Sequence, residues 1–105
     1  MITLVDSGKE SHDLVLIGGG IGENRKPLKH CELFDPENGM SSEFPPMNFG
    51  VSSGTMVTFN KNIVFKLGGL GQFDSVSSSI CEMVEKFDFG EYMKNGYEKW
   101  AYVEL

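Results

Sequence analysis

The sequence predicts an all-β protein, and three observations favour this class. Thirteen of the 105 residues are glycine, which indicates a chain with many turns. Short apolar segments alternate with polar segments rich in turn residues, and the spacing of an amphipathic helix is absent. The segment SSSICEMVEKF (77–87) is the only one whose composition would suit a helix, and a strand at 79–87 is favoured over it. Finally, an apolar segment that ends in glycines occurs twice, about fifty residues apart.

Each half of the chain predicts four short antiparallel strands joined by turns. In the first half they are expected at 2–5, 13–18, 30–35 and 40–44. In the second half they are expected at 54–59, 63–67, 79–87 and 99–105. The pairs Asn38-Gly39 and Asn95-Gly96 suit the left-handed φ values of tight turns. His12 lies in a polar turn and is expected to be solvated. The segment GEYMKNGYE, which begins at Gly90, is expected to form an extra hairpin.

The two halves repeat one another in sequence. LVLIGGGIGE is echoed by IVFKLGGLGQ, and CELFD (31–35) returns within CEMVEKFD (81–88). An offset of 50 aligns Gly18-Gly19 with Gly68-Gly69. An offset of 49 aligns the flanking residues better, so the sequence leaves the register open by one residue. Repeats of this length are typical of solenoids and propellers.

The first glycine cluster also resembles a dinucleotide-binding turn, but the details argue against it. The G-x-G-x-x-G pattern needs a small residue at its third position, where this chain has Glu23. A helix should follow, so that its N-terminal amides face the phosphates. Pro27 disfavours that helix. A second copy of the cluster within so short a chain also argues against a cofactor loop.

Composition and charge restrict the classes of partner. The formal net charge is −6, and Arg25 is the only arginine, which argues against nucleic acid and anionic membranes. Cys31 and Cys81 lack metal-ligand spacing and are expected to be buried free thiols. Neither a metal nor another cofactor is expected. The N-terminal residues lack the features of a signal peptide, so a cytoplasmic location is expected.

At the level of motifs, the chain resembles kelch-repeat proteins. The kelch pattern combines an apolar strand, a double glycine, an aromatic-Asp pair, a tryptophan and a Pro-Met exit. The matching residues are Gly18, Gly19, Phe34, Asp35, Gly68, Gly69, Phe87, Asp88 and Trp100, with Pro46-Met47 as the exit. The first copy has Met40 at the usual tryptophan position. In the second copy, Trp100 comes seven residues late, and the arginine that often follows the exit is missing.

The resemblance implies two four-stranded blades of a β-propeller. Blade 1 is expected at 1–47, the inter-blade link at 48–53 and blade 2 at 54–105. Propellers close with about four to eight blades, so two blades form an incomplete ring. Further blades in a larger assembly, or further copies of this chain, would have to complete it. A truncated product that folds poorly is the remaining possibility.

The same resemblance implies a non-enzymatic module that binds a protein partner through loops on one face of the propeller. The loops are expected at 22–30, 48–54 and 71–78, since recognition residues commonly lie on loops of a rigid scaffold. The candidate partner-binding residues are Asn24, Arg25, Lys26, Gln72, Phe73 and Asp74. A basic loop on an acidic chain suits an acidic peptide. The alternatives are a structural piece of a larger assembly or self-assembled propeller and, as the minor one, a flavin- or metal-dependent oxidoreductase.

Overall fold

The computed structural model describes residues 1–8, 12–23, 25–72, 78–80 and 83–104, with the backbone alone at 72 and 78–80. The fold is all-β, with two four-stranded antiparallel sheets. Sheet 1 has the order β1-β2-β3-β4. Its strands are β1 (Ile2–Val5), β2 (Leu14–Gly18), β3 (Cys31–Asp35) and β4 (Met40–Phe44). All four strands begin within one residue of the positions predicted from the sequence.

Sheet 2 has the order β5-β6-β9-β10. Its strands are β5 (Thr55–Phe59), β6 (Ile63–Leu67), β9 (Val84–Asp88) and β10 (Ala101–Val103). A two-stranded ladder of β7 (Leu70–Gln72) and β8 (Ser78–Ile80) lies between β6 and β9 in sequence. The helix α1 (Phe89–Asn95) joins β9 to the segment that leads into β10. In the parts of the chain that the structure describes, no helix has the length and apolar content that a membrane crossing requires.

Three expectations about local structure are wrong. The strand expected at 79–87 is divided into β8 and β9, which belong to different ladders. The segment expected to be a hairpin after Asp88 is the helix α1, because Asp88 caps it by accepting a hydrogen bond from the Glu91 amide and Gly96 ends it at φ +72°. His12, expected in a solvated turn, has a side chain only 13% exposed. Its ring nitrogens lie 3.1 Å from Asp35 Oδ1 and 2.6 Å from Glu37 Oε2.

The turns follow the residue chemistry that the sequence indicates. Asp35 Oδ1 accepts a hydrogen bond of 2.9 Å from the Glu37 amide at the start of the β3–β4 turn. Gly39 in that turn has φ +73°. Between β5 and β6, Asn60 and Lys61 both have positive φ, at +51° and +59°. Two successive left-handed residues match the right-handed twist of a hairpin.

The apolar core lies between the two sheets. The buried side chains are Val5, Leu16, Cys31 and Phe44 from sheet 1, Met56, Val64 and Phe87 from sheet 2, and Met47, Val51, Phe89 and Trp100 from the connecting segments. The ring centroids of Phe44 and Phe87 are 4.7 Å apart, and tilted aromatic pairs add about 0.5–1.5 kcal/mol beyond their buried area. The aromatic residue of the second copy thus packs between the sheets. Phe34, its counterpart in the first copy, is only partly buried on the opposite side of sheet 1.

The strand registers show that the two sheets are repeats of one unit. Val15 pairs with Phe34 in sheet 1, and Val64 pairs with Phe87 in sheet 2. After the second strand of each sheet come two glycines with positive φ, Gly19-Gly20 at +74° and +104° and Gly68-Gly69 at +65° and +92°. The offset on this strand is therefore 49. Gly18, expected to match Gly68, is instead the last residue of β2.

Candidate functional site

Three connecting segments meet at one end of the two sheets, where β2 and β6 finish. We call this region the loop end and define it as the described residues of 19–30, 48–54 and 68–72. The Gly20 amide donates to the Val51 carbonyl at 2.9 Å, and the Leu28 amide donates to the Gly20 carbonyl at 2.8 Å. Ser52 and Leu70 exchange backbone hydrogen bonds of 2.9 and 2.7 Å. Backbone hydrogen bonds therefore join 19–30 to 48–54 and 48–54 to Leu70, whereas residues 73–77 of the loop predicted at 71–78 lie outside the described residues.

Glycines allow these segments to approach one another. A Cβ on Gly19 would stand 2.6 Å from the Val51 carbonyl oxygen, and one on Gly69 would stand 2.9 Å from the Ser52 oxygen. A Cβ on Gly50 would overlap the carbonyl of Pro27. Any larger residue at these positions would push the segments apart. Backbone sterics thus fix the spacing of the loop end.

Arg25 and Lys26 form the exposed tip of the loop between β2 and β3. The Gly22 amide donates to the Lys26 carbonyl at 2.9 Å, and the Arg25 amide donates to the Gly22 carbonyl at 3.0 Å, which closes a tight turn. Arg25 has φ +57°, a conformation that residues other than glycine, asparagine and aspartate adopt at a cost. Both side chains are exposed. The turn holds two positive charges at the outermost point of the loop.

The other candidate partner-binding residues are placed less completely. Asn24, Phe73 and Asp74 lie outside the described residues. Gln72 is described by its backbone, which pairs with Ser78 in the β7–β8 ladder. Among the six candidates, the structure therefore locates the side chains of Arg25 and Lys26 alone.

A buried ion pair, which the sequence did not predict, anchors residues 48–53, which we call the link, to sheet 2. Lys66 Nζ lies 3.1 Å from Glu85 Oε2, and both side chains are 0% exposed. Glu85 also accepts hydrogen bonds from the backbone amides of Asn48 at 2.8 Å and Phe49 at 3.2 Å. The available signal was a lysine within the apolar strand IVFKL, at a position where the first copy has Ile17. A charged residue inside such a strand must find an opposite charge or remain in water.

Trp100 makes a second connection between the link and sheet 2. Its indole Nε1 donates to the Pro45 carbonyl at 2.9 Å, and the Asn48 amide side chain donates to the Trp100 carbonyl at 3.0 Å. The indole centroid lies 5.3 Å from that of Phe87. Trp100 therefore has a structural role, since it joins the chain after β4 to the aromatic cluster of the core.

Cys31 is a buried free thiol, as expected, whereas Cys81 lies outside the described residues. Burial raises the pKa of the Cys31 thiol to about 12, with a smaller opposing effect from the Met47 backbone and a smaller reinforcing effect from the Glu85 charge. The thiolate is the nucleophilic form of cysteine. A thiol that keeps its proton at neutral pH has the chemistry of a packing residue rather than of a nucleophile.

Comparison with known proteins adds no relative. No family model matches the chain, and no curated protein matches it in sequence.

Proposed function

We propose that this chain is a non-enzymatic protein-interaction module, built as a segment of a kelch-type β-propeller, which binds a protein partner at the loop end. The repeated four-stranded antiparallel sheet supports the propeller assignment. In this proposal, sheet 1 and sheet 2 are successive blades. Residues 48–53 then form the link that carries the chain from the outer strand of one blade to the inner strand of the next.

The observation that carries the binding proposal is the convergence of the three segments at the loop end. The Gly20 amide donates to the Val51 carbonyl, and Ser52 exchanges backbone hydrogen bonds with Leu70, so both glycine turns are connected to the link. Loops held in this way present side chains at fixed positions, so binding costs less conformational entropy than it would from mobile loops.

Charge indicates the kind of partner. The chain carries a net charge of −6, yet the tip at Arg25 and Lys26 is basic, and Lys29 is exposed in the same loop. An acidic peptide segment would be attracted to this tip and repelled elsewhere on the chain. The positive φ of Arg25 adds to this argument, because residues kept in a costly conformation concentrate at functional sites.

The proposal is tested with synthetic acidic peptides, using the double variant Arg25→Glu/Lys26→Glu. Binding of fluorescein-labelled peptides rich in Asp and Glu is measured by anisotropy at low and physiological salt. We expect the double variant to bind at least about tenfold more weakly, which corresponds to about 1.4 kcal/mol, and salt to weaken the wild-type interaction.

The matched control is Lys94→Glu. Lys94 is an exposed lysine of α1, at the opposite end of the strands, and its charge reversal is expected to leave binding within about twofold, since screening limits the reach of a surface charge to about 10 Å. Equal weakening by the control and the loop-end variant would show a general charge effect and contradict the proposal. Equal affinity for neutral peptides of the same length would contradict it as well.

A further inference from the structure

The two sheets carry apolar side chains on the surfaces that face away from the shared core. On sheet 1, register and strand alternation place one set of residues on this surface, which we call face A: Ile2, Leu4, Val15, Ile17, Glu32 and Phe34. On sheet 2 the corresponding outward surface is face B: Val57, Phe59, Ile63, Phe65, Leu67 and Lys86. Ile2 is 67% exposed and Phe59 is 63% exposed. Contiguous exposed apolar side chains of this kind mark interaction surfaces.

The repeat shows what each face is built to contact. The registers make Leu4 equivalent to Thr58, Val15 equivalent to Val64, and Phe34 equivalent to Phe87. Val64 and Phe87 are buried on the side of sheet 2 that packs on sheet 1. Face A is therefore the counterpart, in the first repeat, of the surface that sheet 2 buries within the chain.

Face B has the converse relation to sheet 1. Phe59 is equivalent to Val5, and Phe65 is equivalent to Leu16, by the pairings of the first two strands. Val5 and Leu16 are fully buried against sheet 2. The sheets thus pack head to tail, since one kind of face meets the other kind. Within the part of the chain that the structure describes, one face of each kind is left unpaired.

We propose that face A of one copy of this chain binds face B of a second copy, in the arrangement that sheet 2 and sheet 1 have within a single chain. The proposal uses surfaces other than the loop end and so goes beyond the binding function proposed above. A head-to-tail interface generates a ring when its rotation closes. Since propellers contain about four to eight sheets, a ring of two to four copies is expected.

The sizes and charges of the side chains on face A and face B both favour pairing with a second copy of the chain. Within the chain, the Met56 methyl lies so close to Gly18 that a Cβ there would stand 2.9 Å from it. Ile2 is equivalent to Met56, and Leu67 is equivalent to Gly18. At the interface between copies, a side chain shorter than methionine therefore faces a residue larger than glycine. Glu32 on face A, which is half-buried and lies 3.1 Å from His30 Nε2, and the exposed Lys86 on face B carry opposite charges, which favours the A-to-B pairing over A-to-A.

The pairing is tested by complementation between two single variants, Leu4→Arg on face A and Phe59→Arg on face B. Masses are measured by light scattering after size exclusion over a range of concentrations. We expect wild-type chains to form a closed species of two to four copies, and each variant alone to have the mass of one chain. A mixture of the two variants should have the mass of two chains, because each supplies the intact face that the other lacks.

Met40→Arg is the matched control, since Met40 is 68% exposed in β4 but belongs to neither face. It should assemble as the wild type does. A wild-type chain of monomer mass at all concentrations would overturn the proposal and place the partner of these faces on another polypeptide. A mixture of the two variants that stays monomeric, or a single variant that still assembles, would overturn it as well. Neither result would affect the loop-end proposal, which is measured by peptide binding.

A cross-linking measurement keeps the test decisive where an arginine variant fails to fold. In a Cys81→Ser background, chains carrying Ile2→Cys are mixed with chains carrying Leu67→Cys and treated with a short bismaleimide. A covalent dimer should form in the mixture and be absent from either chain alone. Cross-linking of Ile2→Cys chains to one another would show A-to-A pairing and overturn the proposal.

Discussion

The buried pair of Lys66 and Glu85 gives the most discriminating stability prediction, because Glu85 holds the backbone of the link as well as the Lys66 ammonium. Glu85 contacts the Lys66 ammonium and accepts two backbone hydrogen bonds from the link. In Lys66→Met the carboxylate keeps both backbone bonds, so the expected cost is at the lower end of the range for breaking a buried pair, about 3 kcal/mol.

Glu85→Leu should cost more. It leaves the Lys66 ammonium buried without the carboxylate charge, at about 3–5 kcal/mol. It also removes the acceptor of the part-buried Asn48 and Phe49 amides, at about 1 kcal/mol for each hydrogen bond lost. Since these costs are not fully additive, we expect a total of about 5 kcal/mol or more. The double variant Lys66→Met/Glu85→Leu has no buried charge and should be more stable than Glu85→Leu alone by at least about 1 kcal/mol.

The assay is urea unfolding followed by fluorescence of Trp100, the single tryptophan of the chain. This residue is buried next to the link, so its emission reports on the region that the substitutions affect. Should Glu85→Leu be unfolded without urea, recovery of folding in the double variant gives the same comparison. The reasoning would be refuted if Lys66→Met cost as much as Glu85→Leu, or if the double variant were the least stable of the three.

The remaining predictions concern close approach, the buried thiol and the helix cap. Gly19→Ala should destabilise the chain by at least about 1 kcal/mol more than Gly39→Ala in urea unfolding. Both glycines have φ near +74°, but only Gly19 faces a backbone carbonyl. An equal loss of free energy of unfolding in the two variants would contradict this. In a Cys81→Ser background, the Cys31 thiol should react with Ellman's reagent at pH 8 about 10³-fold more slowly than in urea. Folding raises the pKa of the Cys31 thiol from about 9 to about 12. The contribution of this thiol to stability should therefore be complete below pH 9 and be lost as the pH rises toward 12. The check is the difference in free energy of unfolding between wild type and Cys31→Ala, measured by urea unfolding at a series of pH values. Asp88→Ala should cost about 1 kcal/mol through loss of the α1 cap, and Asp88→Ser much less; equal losses in thermal unfolding would argue against capping.

Much of the architecture follows from local patterns. Seven of the eight predicted sheet strands match observed ones within about two residues, since alternating apolar residues and glycine or asparagine turns specify short antiparallel strands with little help from the rest of the chain. The division of 79–87 was not predictable in this way. The β7–β8 ladder depends on pairing between segments that composition alone does not single out, so tertiary context decided it.

The candidate loop end was only partly predictable. Kelch-like spacing predicted three loops on one face, and a backbone hydrogen bond joins the first two of them, whereas most of the loop predicted at 71–78 lies outside the described residues. The pairing of Gly20 with Val51 and of Ser52 with Leu70 is not encoded in any local pattern. The close approach of these segments to one another depends on where the sheets place the ends of β2 and β6, which is a tertiary property.

The sequence by itself determined the β class, the repeat, the tight turns and the apolar character of both sheets, because each depends on residues close together in the chain. Only the tertiary structure decided three other points. It settled the repeat offset at 49 through the φ values of Gly19 and Gly20. It brought Lys66 and Glu85 together across two strands to hold the link. It also showed which side of each apolar strand is buried, and so left Phe34 on an unpaired face while Phe87 lies in the core, since burial depends on which sheet packs against which.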